Sequence, residues 1–348
     1  MVSLKDLAQA CGVSVATVSK AINGQLDISE ATRERVLSTA KELGYTANFA
    51  ARVLKTNRSF NLGILFADLQ KSGFLHEYFA MTLNSFRFEA ERCGYDITFI
   101  SSDIGHQNTS YLQHAQYRKV EGVAIICADF LDPVIQELVF SEIPVVTLDH
   151  AFDGQLAVLS DNEEGMEALV RYVYGMGHRR IAYIHGNPTA VTEQRLSSFY
   201  RTCAALGLEV PEEYVRSCLY HDPISCRAAT EQLLSLPDRP SCILFPDDFA
   251  SLGGINAIRD AGLRIPEDIS VVGYDGINLA NAMSPVLTTW QQNAEALGKT
   301  AAEMLISRIE TPGSLPNEHI LIHGRLLEGG SVKPLASCQC RRKESRLP

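Results

Sequence analysis

The chain has 348 residues, enough for two to three domains, and 46% hydrophobic against 21% charged residues describe an ordinary globular protein rather than a disordered or collagenous one. Charged residues interrupt every apolar run before it reaches about 18 residues, which excludes a membrane-spanning helix. Asp6 stands where a secretory leader needs apolar sequence, so a cytoplasmic protein is expected.

The net charge of −10 is unevenly divided. Residues 1–58 hold eight basic and five acidic groups, +3, and the remaining 23 basic and 36 acidic groups leave −13 on the rest. A basic head on an acidic body implies that only the head approaches a polyanion.

In the head, Ser3 can cap a helix carrying Leu4, Leu7, Ala8 and Cys11, and Gly12 ends it. Ser14 opens a second helix from Val15 to Ile22, with Val18, Ala21 and Ile22 on one face and Ala16, Thr17, Ser19 and Lys20 turned elsewhere. Ser29, with Glu30 behind it, starts a third helix through Val36, Leu37, Ala40 and Leu43, stopped by Gly44. Two short helices joined through a glycine turn read as a helix-turn-helix; a helical cap on a larger domain is the alternative.

The stretch VSVATVSKAINGQLDISEATRERVLSTAKELGY, residues 13–45, resembles the head of the lactose-repressor family of bacterial transcription factors nearly position for position. The resemblance places the second helix in the major groove, with Val15, Ala16 and Lys20 facing bases. Lys20 can donate to guanine O6 or N7, and Val15 and Ala16 can make only apolar contacts such as that with a thymine methyl. Ser14, Thr17, Ser19 and Asn23 suit phosphate oxygens, which position the module without reading sequence. Residues 46–58, a plain linker by composition, become by resemblance a hinge helix in which Leu54, beside Lys55, wedges between base pairs in the minor groove. Phe49 is bulkier than that family's pattern suggests.

From Asn61 onward apolar runs alternate with helical patterns: NLGILFA, DITFIS, GVAIICA, PVVTLD, AVLSD, RRIAYIHG, SCILFPDD and DISVVGYD, with helices between most of them. That rhythm predicts parallel sheets covered by helices, and the number of units favours two lobes. Residues 241–303 resemble the effector domain of the same family, which shares its fold with periplasmic sugar-binding proteins. The fold expected is an all-α helix-turn-helix head on an α/β, two-lobed, periplasmic-binding-protein-like (type I) body with parallel sheets. The expected division is 1–46 for the head, 47–60 for the hinge, 61–335 for the body and 336–348 for a tail. Within the body, 61–160 and 292–319 form the first lobe, and 161–291 and 320–335 the second.

Ligands of open parallel sheets gather beyond the carboxyl ends of strands, where Asp68, Asp149, Asp248 and Asp275 fall. Carboxylates accept hydroxyl hydrogen bonds and Arg195 donates several, which suits a polyol such as a sugar, though some nucleosides fit the same chemistry. By family position Arg195 matches the effector-binding arginine, Asp275 the carboxylate after a Gly-Tyr pair, and Asp248 the second member of an Asn-Asp pair that is Asp247-Asp248 here. His221 and Phe74 fall where relatives place aromatic residues, or are exposed loop residues. Asp161 and Asn162 cap the next helix or touch ligand.

GxGxxG, a Walker loop, HExxH and GxSxG are all missing, so no enzyme is expected, and no cofactor. His178 reads as a structural histidine, and His319 and His323, alternating along one strand, lack a third suitably spaced ligand, so no metal is expected. Nine scattered cysteines read as buried apolar residues, with a CxC pair, Cys338 and Cys340, in a basic tail.

The resemblance implies a ligand-responsive repressor of carbohydrate-utilisation genes, with palindromic operator DNA and a small-molecule effector, a sugar, as partners. Induction and corepression are both allowed, and in one branch of the family a partner protein carries the signal. The tail after residue 335 has no leucine heptad, so a homodimer is expected. A sugar-binding transport component and an α/β enzyme of sugar or nucleotide metabolism are the alternatives.

Overall fold

The computed structural model describes residues 2–22, 25, 27–45, 58–67, 76–104, 107–313 and 319–335, the side chains of 107 and 108 excepted. It divides after Ser59 into a head and a body. No helix among the described residues is long and apolar enough to cross a membrane.

The head holds α1 (Leu4–Cys11), α2 (Val15–Ile22) and α3 (Glu30–Glu42). Ser3 and Asp6 cap α1 reciprocally, and Gly12 ends it at φ 64°, a left-handed conformation that costs glycine no side-chain clash. Ser14 Oγ accepts the Thr17 amide at 3.0 Å, satisfying one orphan donor of α2. Leu7, Ala8, Cys11, Val18, Ala21, Val36 and Ala40 close the core. Leu37 and Leu43, expected on the buried stripe of α3, are exposed instead; Val36 and Ala40, four apart, suffice to meet α1 and α2.

The body contains two six-stranded sheets. In chain order the strands are β1 (Asn61–Phe66), β2 (Asp96–Ile100), a small hairpin β3 (Asp103–Ile104) and β4 (Gln107–Asn108), β5 (Gly122–Cys127), β6 (Val145–Leu148), β7 (Leu156–Ser160), β8 (Ile181–His185), β9 (Val215–Ser217), β10 (Cys242–Leu244), β11 (Ser270–Asp275), β12 (Thr288–Gln291), β13 (His319–Ile322) and β14 (Arg325–Leu327). The first sheet runs β13-β7-β6-β5-β1-β2 and is parallel throughout. The second runs β14-β12-β11-β10-β8-β9 and is parallel except for β14.

Each sheet is buried on both faces, which is why its strands are continuous apolar runs. On the first, Leu62, Ile64 and Val146 pack on one side with Phe86 of α4 (Glu77–Arg92) and Leu297 of a long helix, Ala294–Glu310. Leu65, Val123 and Ile125 pack on the other with Ile135 and Leu138. Gly298 of the long helix lies so close to α4 that a Cβ would stand 2.1 Å from the Thr82 carbonyl oxygen. In the second lobe Met166, Leu169 and Phe199 cover one face and Cys226, Leu233 and Ile258 the other.

The chain passes between sheets three times. The last passage falls between Ile322 and Arg325, not at residue 320 as expected, because β13 pairs with β7 in the first sheet. His323 is therefore not in the strand with His319. Gly324 makes the passage possible, since a Cβ there would lie 2.5 Å from both the Gln291 carbonyl oxygen and Trp290 Nε1. A helix at Tyr111–Arg118, opened by a Ser110–Gln113 capping box, has no counterpart in the sequence reading; it buries only His114 and Ala115, too little for a periodic signal.

His178 is fully buried, with Nδ1 2.9 Å from Ser241 Oγ and Nε2 3.2 Å from the Lys333 carbonyl oxygen. The carbonyl requires a hydrogen on Nε2, so in the neutral ring Nδ1 is the acceptor and shares the Ser241 hydroxyl hydrogen with the Arg180 carbonyl oxygen, 3.1 Å from Ser241 Oγ. Burial lowers its pKa to about 4 from an ordinary 6.5. An unfolded chain thus binds a proton between those values that the folded chain refuses, and stability falls as pH drops through that window. Between pH 7 and pH 5 this group should cost roughly 2 kcal/mol. Denaturant midpoints at the two pH values should converge in His178→Gln; an unchanged pH slope in the variant would place the acid sensitivity elsewhere.

Candidate functional site

Two surfaces can carry function, one on each unit. On the head, Ser14, Val15 and Ala16 at the start of α2 are exposed, and Thr17, Ser19 and Lys20 are half-buried. Ser14 and Thr17 hydroxyls share a 2.8 Å hydrogen bond. Lys20 Nζ pairs with the Asp27 carboxylate, which lowers the pKa of Asp27. The apolar side of α2, Val18 and Ala21, faces the head's own core, so the outward side is available to a duplex. Asn23, Leu54 and Lys55 lie outside the described residues.

On the body, a cavity of about 180 Å³ opens between the lobes. From the first lobe it is lined by Tyr78, Phe79, Phe130, Asp149 and His150, from the second by Asn187, Thr189, Arg195, Tyr220, His221 and Asp275, and at the passage between them by Gln292. The parallel strands explain the gathering: Asp149 follows β6, Asp275 ends β11 and Gln292 follows β12. Three cleft residues, Asp149 at φ 55°, His221 at 56° and Asp275 at 102°, hold backbone conformations that non-glycine residues seldom adopt, a strain that clusters where side chains are aimed at function.

Asp149 accepts the Tyr78 hydroxyl at 2.9 Å and the Ser160 amide at 2.7 Å. Arg195 is buried; its Nε donates to Asn162 Oδ1 at 2.8 Å and Nη1 to the Pro246 carbonyl at 3.1 Å. Its guanidinium lies 3.5 Å from the centre of the Tyr274 ring, a cation–π contact that partly replaces lost hydration. Asn162 thus orients Arg195, and Asp161 caps the helix beginning there by accepting the Glu164 amide at 2.9 Å.

Asp275 Oδ1 accepts from Gln292 Nε2 at 2.6 Å. Burial first, and the neighbouring Asp247 charge second, push its pKa up to about 7. For Asp247, burial opposes ionisation, but hydrogen bonds with His221 hold its pKa below the ordinary carboxylate value. Its carboxylate caps the helix Asp248–Asp260, accepting the Ala250 amide at 2.7 Å and the His221 amide at 2.9 Å.

Asp248 does not line the cavity, contrary to its expected ligand role. It accepts the Thr289 hydroxyl at 2.7 Å and the Ile277 amide at 3.0 Å, fully buried beneath β11 and β12. Burial, then the Asp275 charge, push its pKa well above the ordinary carboxylate range. Adjacent residues at a helix start point apart, so of the pair Asp247 faces His221 and Asp248 faces the sheet. Phe74 and Asp68 lie outside the described residues.

Sequence reasoning missed the aromatic wall of the first lobe. Phe130 stacks on His150 with centroids 4.4 Å apart and 7° between planes, and Phe152 lies 4.6 Å from His150. It also missed Tyr78, Tyr220 and Gln292, which stand near strand and helix termini without a motif to mark them.

Comparison with known proteins matches residues 3–48 to bacterial regulatory proteins of the lacI family and residues 170–332 to a periplasmic binding protein-like domain. An HTH-type transcriptional repressor PurR of Escherichia coli O139:H28 (strain E24377A / ETEC) is 31% identical over 338 residues, which are 95% of this chain and 97% of that protein. Among solved structures, a lac repressor dimer bound to operator and the anti-inducer ONPF superposes with a TM-score of 0.82 at 23% identity, covering 95% of this chain and 99% of the other. A complex of the transcriptional regulator CelR with cellobiose reaches 0.70 at 26% identity, covering 95% and 100%.

Replacing Asp248 with alanine leaves two buried donors without an acceptor, at a cost of about 1–3 kcal/mol each. Asp248→Ala should therefore lower the denaturant midpoint of the body. An unchanged midpoint joined to lost ligand binding would return Asp248 to the ligand site.

Proposed function

The chain belongs to the lacI family of bacterial regulatory proteins, and from that premise we propose that it is a cytoplasmic repressor whose head binds a palindromic operator and whose cleft senses a small sugar. The observation that carries this is the cavity itself: an aromatic wall on one lobe faces Arg195, Asn187, Thr189 and Asp275 on the other. Aromatic faces cover the apolar faces of a sugar ring, while the arginine and carboxylates pair with its hydroxyls. The volume of about 180 Å³ favours a small ligand over a drug-sized one. The 26% identical CelR, solved with cellobiose, supports the same class.

Two copies would set two heads on the half-sites of an operator. Val15, Ala16 and Lys20 would face base edges, and Ser14, Thr17, Ser19 and Asn23 phosphates. Lys20 would first have to leave Asp27, an exchange of one exposed partner for another. Leu54 and Lys55 would act from the hinge, and Phe74 from the cleft rim. Asp149, Arg195, His221 and Asp275 would contact the effector.

A gel shift comparing a near-palindrome from upstream of the chain's own coding region with random duplex tests the reading. The near-palindrome should bind more tightly, and Lys20→Ala should lower discrimination at one base pair by about 1–3 kcal/mol. Equal affinity for both duplexes would refute the repressor role. Thermal-shift screening of sugars on the same protein should raise the melting temperature with concentration for one of them.

A further inference from the structure

Four metal-ligating side chains meet at the cleft; two of them, His221 and Asp275, also line the cavity, and the other two, His76 and Asp247, do not. His76, immediately before α4, comes from the first lobe; His221, Asp247 and Asp275 come from the second. One ligand atom from each lies within 4.8 Å of those of the other three. His76 Nε2 is 3.7 Å from Asp275 Oδ2, and His221 Nδ1 is 3.6 Å from Asp247 Oδ1. The two imidazole rings meet across the lobes in a tilted contact, with centroids 3.7 Å apart and 40° between their planes.

Around a tetrahedral zinc-type ion with bonds of about 2.0–2.2 Å, neighbouring donor atoms stand roughly 3.3–3.6 Å apart. Two pairs are already near that spacing, and the wider ones need to contract by about 1 Å. The two carboxylate donors are also held from behind, as ligands of a metal generally are. Gln292 holds Asp275 Oδ1 at 2.6 Å, so that Oδ2 faces His76. Ala250 and His221 amides hold the two Asp247 oxygens at 2.7 and 2.9 Å, leaving each a second lone pair. His76, Asp247 and Asp275 are buried, and two carboxylates match the charge of a dication.

The other such cluster among the described residues, Asp161, Glu164 and His323, differs. There the exposed His323 directs Nδ1 at both carboxylates, 3.2 and 2.8 Å away, as in an ordinary surface ion pair.

We propose that His76, His221, Asp247 and Asp275 bind one divalent transition-metal ion of zinc type, with two nitrogen and two oxygen donors. Because His76 is the first lobe's sole contribution to the cluster, the ion would clasp the two lobes together. This goes beyond the sugar reading and does not depend on it, since metal binding is measured with no sugar present.

The test uses the full chain, stripped with chelator and titrated with zinc in a calorimeter and with cobalt(II) in a spectrometer. One ion should bind per chain, and the cobalt form should show the visible bands of a tetrahedral nitrogen–oxygen site without a near-ultraviolet thiolate band. His76→Ala and Asp275→Asn should each weaken binding at least about 100-fold, while joint Cys338→Ser and Cys340→Ser should leave it unchanged. Absence of binding, a thiolate band that vanishes in the cysteine variant, or equal affinity in His76→Ala and Asp275→Asn would overturn the site. Should those two variants misfold, a zinc-soaked crystal of the unaltered chain decides: anomalous density must lie within bonding distance of His76 Nε2 and Asp275 Oδ2, and a peak only elsewhere refutes the proposal.

Discussion

Parallel strand pairing is the constraint from which the cleft follows. A parallel sheet points all its carboxyl ends one way, and the residues just beyond them collect along one edge. Asp149, Asp275 and Gln292 reach the cavity by that route, each immediately after or at the end of its strand. The antiparallel strand of the second sheet, β14, lies at its border and contributes no residue to the cavity. Burying both faces of each sheet under helices leaves those ends as the place where polar side chains can gather without breaking the core.

Gathering charge there requires support from deeper residues. Arg195 is stacked on Tyr274 and anchored by Asn162 and the Pro246 carbonyl. Asp247 spends its oxygens on a helix start and on the His221 backbone, and Asp248 ties that same helix to Thr289 and Ile277. Each cleft residue with an unusual backbone angle is itself hydrogen-bonded: Asp149 to Tyr78 and Ser160, His221 to Asp247, and Asp275 to Gln292. Apart from the one to Gln292, these bonds each lie within one lobe, so a ligand bridging the lobes would act on the arrangement of the lobes rather than on either wall.

Much of this was legible in the amino-acid sequence because the relevant signals are local. Helix caps at Ser3, Ser14 and Ser29 and apolar strands such as NLGILF need only neighbours to be recognised. Asp149, Arg195, His221 and Asp275 were marked by strand ends or by resemblance, and all four line the cavity. What escaped depends on direction or on distant contacts. Asp247 and Asp248 differ only in where their side chains point at a helix start. His76 and Phe130 have no motif, and they matter through groups many residues away, His221 and His150. The passage at Gly324 was hidden because β13 and β14 read as one strand until each finds its own sheet.

A ligand in the cleft can alter operator binding only by favouring one arrangement of the lobes over another, and such coupling is reciprocal. The most direct measurement is therefore the affinity of the full chain for a sugar identified by thermal shift, taken by calorimetry with and without saturating operator. Sugar affinity should change by the same factor, and in the same direction, as operator affinity changes with and without saturating sugar. A sugar affinity that is identical with and without operator would mean that the cleft and the head are energetically unconnected, and would contradict the account.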